Sequence, residues 1–272
     1  MSPELGTIDE IAFDAAMAKD ADEALSTLAM AHGSSDRRLR ELAKRLAGRI
    51  IVDLARGDHQ PQSGVDTLRR GKWTEGADLD LDASLELVAE SRALGQPVDL
   101  NELVAASWSR REHALTLIID RSGSMNGDRL VAAALSAAVM ACRAPTDYSV
   151  IGFSRDALVI KAQDQHRPIE DVLDDILSLR GHGSTNIELG LHAAAEQLGR
   201  SQSSRRIGIL LSDGKVTAGG DPQDLARRFD ELHVVAPPDS PEAEAIARMG
   251  AGRYAEVESP TDVPRALIAL LR

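Results

Sequence analysis

A single cysteine, Cys142, in 272 residues excludes a disulfide framework. It sits in the Ala-rich stretch "LVAAALSAAVMACRA", where a small core side chain is expected. Aromatic residues make up only 3% of the chain, so alanine and leucine must do the packing. Positive charge is in deficit. Lys and Arg number 31 against 43 Asp and Glu, a formal net charge of −12, which argues against a protein that binds nucleic acid through its phosphate backbone. No segment reaches the roughly 18 uninterrupted apolar residues of a membrane span. The start, "MSPELGTIDE", lacks the basic residues and apolar run of a secretion signal, so a cytoplasmic location is expected. There is no G-x-x-x-x-G-K-[ST] phosphate loop either, so any ATP hydrolysis must come from another chain. What remains, 43% hydrophobic and 27% charged, is the composition of a globular protein with a sizeable core.

The second half of the chain alternates between two periodicities. "ALTLIID" (114–120) is a continuous apolar run, as expected of a strand covered on both faces. A helix is predicted over 128–144, ended by Pro145. "YSVIGFS" and "ALVIKA" are joined by a very short link and predict a hairpin. "IEDVLDDILSL" has the apolar spacing of an amphipathic helix. "GHGSTN" (181–186) reads as a loop leading into the helical "IELGLHAAAEQLG". "RRIGILLSD" (205–213), "ELHVVAP" and "RYAEVE" read as strands, separated by helices at "DPQDLARRF" and "PEAEAIARMG" and closed by "DVPRALIALL". Strands alternating with helices predict an α/β fold with a doubly wound, mostly parallel sheet.

The first 113 residues differ. Residues 8–56 are mainly of helical pattern, and "DHQPQSG" (58–64) is a linker or turn. "ADLDLDASLELVAESRALG" (77–95) predicts a short strand and then a helix capped near Asp82. Residues 98–113 are expected to be extended. The division expected is a helical N-terminal region (1–76), a connecting strand and helix segment (77–113) packing on the next domain, and an α/β domain (114–272).

Three polar features fall where an open parallel sheet binds its ligands, outside the carboxyl ends of the strands. Asp120, Ser122 and Ser124 follow the first buried strand, Thr185 lies in the loop before a helix, and Asp213 ends the strand 205–213. In an extended turn, residues i, i+2 and i+4 point the same way, so the aspartate and two serines can converge. Two carboxylates and three hydroxyls are oxygen donors of the kind hard cations prefer. Neutral hydroxyls donate weakly, and they leave a bound Mg²⁺ short of one strong ligand, which a carboxylate from another molecule can supply.

This pattern, D-x-S-x-S, then a distant Thr, then a strand-end Asp, resembles the metal ion-dependent adhesion site of von Willebrand factor A domains. The resemblance spans about 114–272. It implies that Ser122, Ser124 and Thr185 bind the ion directly or through water, while Asp120 and Asp213 hold waters and hydroxyls behind them. The implied cofactor is Mg²⁺, with Mn²⁺ as a substitute, and the implied partner is a protein supplying an Asp or Glu. The approach "DLDLDASLELVAES", "SRREH", "ALTLIIDRSGSM" is similar to that of the magnesium chelatase D subunit. It also resembles intracellular bacterial A-domain proteins that work with MoxR-type AAA+ ATPases. The function these resemblances imply is a non-catalytic, Mg²⁺-dependent interaction module, an adaptor for such an ATPase in client remodelling or metal insertion.

Other readings of the same residues compete. "DRSGSM" alone could cap a helix. A metal-dependent hydrolase could use the same ion site, but hydrolysis needs a general base or second metal near it. "GHGST" is not the G-x-S-x-G nucleophile elbow, and no His is placed by sequence to activate Ser122 or Ser124. His113, His192 and His233 share no zinc-ligand spacing, and His182 reads as a solvated loop residue. Trp73 and Trp108, both in the N-terminal region, are expected in core or inter-domain packing, with an exposed partner anchor as the alternative.

Overall fold

Burial of the strand 113–120 on both faces organises the molecule. The computed structural model describes residues 10–32, 67–72, 80–99, 102–109, 113–123, 127–181 and 183–271. By its contacts the chain divides into two units, one of Met1–Gln60 with His113–Arg272 and the other Pro61–Glu112.

In the larger unit, helices α1 (Glu10–Lys19) and α2 (Ala21–His32) precede the α/β portion. That portion contains β3 (His113–Asp120), α4 (Gly127–Arg143), β4 (Tyr148–Phe153), β5 (Ala157–Lys161), α5 (Ile169–Leu177) and α6 (Ile187–Leu198). It continues through β6 (Arg205–Leu211), the short α7 (Gln223–Ala226), β7 (Glu231–Ala236), α8 (Pro241–Met249), β8 (Ala251–Glu256), a 3₁₀ turn (Pro260–Asp262) and α9 (Val263–Leu270). The sheet runs β5-β4-β3-β6-β7-β8, with all neighbours parallel except the β4–β5 hairpin. The doubly wound, mostly parallel α/β fold predicted from the alternation is what the chain forms.

Period-2 alternation divides the core between the two faces of the sheet. Leu115, Leu117 and Ile119 of β3 pack with α2, α4, α5 and α9. Ala114 and Ile118 of the same strand pack with the face carrying α6, α7 and α8. Both faces being covered is why β3 reads as an unbroken apolar run. On α5, Val172, Leu173, Ile176 and Leu177 are buried, as its helical spacing predicts. On α2, Ala24, Leu25, Leu28 and Ala29 are buried, and the Asp20 carboxylate accepts from the Glu23 N–H at 3.1 Å, capping the helix.

β3 is followed by a crossover to β4 on one side, and β6, its other neighbour, by a crossover to β7 on the opposite side. The order therefore reverses between β3 and β6, and a crevice opens outside their carboxyl ends. Among the described residues, no helix is long and apolar enough to cross a membrane.

The smaller unit pairs β1 (Thr67–Lys72) antiparallel with β2 (Val104–Ser109), and places α3 (Leu81–Ala93) between them in sequence. β2 falls inside the segment expected to be extended. β1, "TLRRGK", has no apolar alternation and was not legible as a strand. The α3 cap is Asp80, whose side chain accepts from the Ala83 N–H at 3.0 Å, rather than the neighbourhood of Asp82. The helix starts two residues earlier, at Leu81, and the extended Asp80 before it supplies the capping carboxylate. The helical pattern of 33–56, the turn 58–64 and Trp73 lie outside the described residues.

His233 on β7 is fully buried, and its Nδ1 accepts from the Arg253 N–H of β8 at 3.0 Å. Burial pushes its pKa down to about 4 against a weaker opposing pull from Glu231. Between that value and about 6.5 the unfolded chain binds a proton that the folded chain refuses, so stability is lost as pH falls through this window. Denaturant unfolding at pH 7 and 4.5 is expected to show wild type losing roughly 2 kcal/mol more than His233→Gln. Equal losses would remove His233 as the responsible group.

Candidate functional site

Three loops meet in the crevice between β3 and β6. The first leaves β3 and stays extended. Arg121 donates its N–H to the Phe153 carbonyl at 2.8 Å and turns its side chain to Asp156. With Arg121 directed that way, Asp120 and Ser122 face the crevice, the alternation expected of i and i+2. The Asp120 carboxylate is held at both oxygens. Oδ1 accepts from the Ser122 N–H at 2.9 Å, and Oδ2 accepts from the Ser212 hydroxyl at 2.7 Å.

The second loop brings Thr185. Asn186 donates its N–H to the Ser154 carbonyl at 3.1 Å, and its side chain caps α6 by accepting from Leu189 N–H at 3.0 Å. Thr185, one residue before this cap, is 6% exposed, and its hydroxyl donates to the Ser122 hydroxyl at 2.6 Å. The third loop follows β6. Asp213 there accepts from the Lys215 N–H at 3.1 Å, with the Lys215 ammonium 3.8 Å from its other oxygen.

Asp120, Ser122, Thr185 and Asp213 therefore line one cavity of about 530 Å³. Ser124 and His182 lie outside the described residues. The rest of the cavity combines apolar depth from Ile119, Val235 and Val263 with the charged Asp128, Arg129 and Lys215.

Two further residues were not legible as members of the site. Ser212 donates to Asp120 and accepts from the Gly214 N–H at 3.1 Å, so it ties the first and third loops together. The only sequence signal was a polar residue closing an apolar strand. Thr217 accepts from the Thr185 N–H at 2.8 Å, while the N–H groups of Thr217 and Ala218 donate to the Thr185 carbonyl at 3.1 and 3.2 Å. No local pattern links two residues 32 apart. Together these bonds fix the backbone of Thr185 on both sides.

The donor set suits a hard divalent cation. All its polar atoms are carboxylate or hydroxyl oxygens, and among the described residues no group of three His, Cys, Asp or Glu gathers as a softer or all-carboxylate metal site would require. The Ser122 and Thr185 oxygens, 2.6 Å apart, approach the separation of about 2.9 Å between adjacent ligands of an octahedral Mg²⁺.

The chain resembles a structure of an aerotolerance-related membrane protein from Bacteroides fragilis, at 17% identity over 60% of this chain and 98% of that one, with a TM-score of 0.49. A von Willebrand factor type A structure from Catenulispora acidiphila shares 21% identity over 60% of this chain and 42% of that one, with a TM-score of 0.46. Proximal thread matrix protein 1 of the mussel byssus, with zinc in its adhesion-site motif, shares 18% over 59% and 47%, with a TM-score of 0.48. The chain thus spans less than half of the last two proteins. No curated protein matches it. The family model of the von Willebrand factor type A domain matches residues 114–255, more than half of the chain, and covers the three loops that carry Asp120, Thr185 and Asp213. Domains of this kind are metal-dependent protein-interaction modules, in general non-enzymatic. The chain therefore belongs to the von Willebrand factor type A domain family.

Proposed function

We propose that the protein is a non-catalytic, Mg²⁺-dependent interaction module of the cytoplasm, serving as an adaptor for a MoxR-type AAA+ ATPase in client remodelling or metal insertion. The observation that carries this reading is the convergence of Asp120, Ser122, Thr185 and Asp213 on one cavity, with Ser122 and Thr185 joined through their hydroxyls. Ser122, Thr185 and the neighbouring Ser124 would hold the ion, with Asp120 and Asp213 behind them. When bound, Mg²⁺ or Mn²⁺ supplies an electrophilic point to which a partner's Asp or Glu coordinates. The chain's own residues do the positioning. Asp120 is clamped from two directions, and the Thr185 backbone is bolted by Thr217. The ATPase and client rest on the resemblance of the segment before β3 to chelatase-type A-domain proteins.

A pull-down from lysate tests the partner bond. Capture of the main partner is expected to fall with EDTA, to return with Mg²⁺, and to fall with Ser122→Ala or Thr185→Ala. A partner that binds all baits equally with or without EDTA would contradict an ion-bridged contact. ATP or phosphoester turnover that survives purification and disappears in Asp120→Ala would favour a hydrolase instead.

A further inference from the structure

The family match ends at residue 255 and begins at 114, yet one wall of the cavity is built outside it. Ser259 and Pro260, in the turn between β8 and α9, line the same cavity as Asp120, Ser122, Thr185 and Asp213. This turn is held by a residue from the far end of the chain. Asp22 of α2 accepts from the Thr261 N–H at 3.0 Å with Oδ1, and its Oδ2 accepts from the Thr261 hydroxyl at 3.1 Å and from the Ser259 hydroxyl. Three donors on one carboxylate, across more than 230 residues of sequence, constitute a specific clasp rather than incidental packing.

The same helix also grips the other wall. Gly127 opens α4, immediately after the D-x-S-x-S loop, and it touches α2 so closely that a Cβ there would meet the Ser26 hydroxyl and would lie 2.8 Å from the Ser26 carbonyl oxygen. Below these two contacts Ala24, Leu25, Leu28 and Ala29 anchor α2 in the core shared with α4. A single rigid element therefore spans the first turn of α4 and the Ser259–Thr261 turn.

We infer that α2 is a brace for the ion cavity, and that Asp22 is a positioning residue for it. The inference rests on the ion reading above. Loop ligands bind an ion tightly only when their anchors are fixed beforehand, because ordering them on binding subtracts from affinity. Without the clasp the 259–261 turn and the start of α4 gain freedom relative to each other, and each ion bound must remove it.

The test uses the full chain and three variants. Asp22→Ala removes the whole clasp. Thr261→Val removes one hydroxyl donor and keeps the N–H, so it is a milder variant if the first folds poorly. Val172→Ala, in the α5 part of the core, lowers stability without touching the brace. Mg²⁺ and Mn²⁺ affinity is measured by calorimetry well below each melting temperature, where a purely structural defect leaves the affinity of the folded molecules unchanged. Asp22→Ala is expected to weaken ion binding about 5–20-fold, Thr261→Val less, and Val172→Ala not at all. In the absence of ion, the Thr261 amide and the first amides of α4 should exchange faster in Asp22→Ala than in wild type. Wild-type affinity in both clasp variants overturns the brace and leaves the ion reading standing. A wild type that binds neither ion overturns both.

Discussion

Replacing Asp120 with alanine is expected to abolish ion binding while leaving the domain folded. The Asp120 carboxylate holds its own loop through the Ser122 N–H and reaches the third loop through the Ser212 hydroxyl. Removing it frees the loop that carries Ser122 and loosens the loop that carries Asp213. It also deletes a negative charge from a cavity whose other acids include Asp128 and Asp213. Loss of a residue that orients ligands costs roughly 10–100-fold in metal affinity, and lost charge adds to this. At about 100 times its Kd an ion stabilises the folded state by about 2.7 kcal/mol, a rise in melting temperature of roughly 5–10 °C. Wild type should show that rise with Mg²⁺, and the variant should not. Without ion the variant loses two hydrogen bonds to a carboxylate, about 1.5–3 kcal/mol each, partly offset by relief of repulsion among the carboxylates, so each protein's rise is read against its own ion-free melting temperature. Calorimetry giving the same Mg²⁺ isotherm for both proteins would remove Asp120 from the site.

Gly214→Ala should produce the largest loss of stability among the substitutions considered. Gly214 follows Asp213 with φ +82, in the left-handed region. A Cβ there would meet the backbone of Ala243 at the start of α8, with the Ala243 Cα at 2.7 Å and the Glu242 carbonyl carbon equally near. Backbone strain of about 1–3 kcal/mol and overpacking of similar size add to roughly 2–5 kcal/mol. The obstacle is main chain, so no side chain can swing aside to relieve it. The melting temperature is expected to fall by roughly 5–15 °C. The Gly214 N–H also donates to Ser212, so the shift propagates to Asp120, and ion affinity should drop in the fraction that stays folded. A variant that melts with wild type would show that α8 moves freely and that the close approach is dispensable.

Much of the α/β portion was legible because its signals are local. β3 announces itself by an unbroken apolar run since helices cover both its faces, and α5 by its 3.6-residue spacing. The spacing Asp120, Ser122 encodes a common direction because successive residues of an extended chain alternate. The oxygen-rich character of the crevice follows from residue types placed at strand ends. β1 escaped because its partner β2 lies more than 30 residues away, and "TLRRGK" carries no alternation of its own. The α3 cap was displaced by two residues because "DLDLD" offers several aspartates, and only the backbone decides which one is left extended.

The order of residue types along the chain was thus enough to specify a doubly wound sheet, the strands that end at its crevice, and the oxygen donors waiting there. Which loops would actually meet was settled by tertiary structure. Thr185 reaches Ser122 because α6 packs beneath β3 and β4, and it is fixed by Thr217 because the β6–β7 connection folds back over it. Ser212 became a bridge to Asp120 because β6 lies directly beside β3. Asp22 reached the Ser259–Thr261 turn because the apolar residues of α2 are buried in the core it shares with α4. The physical reason is common to all four. Periodicity records how a segment is buried and in which direction its side chains point. It does not record what stands opposite, which depends on strand order and helix docking across the whole molecule.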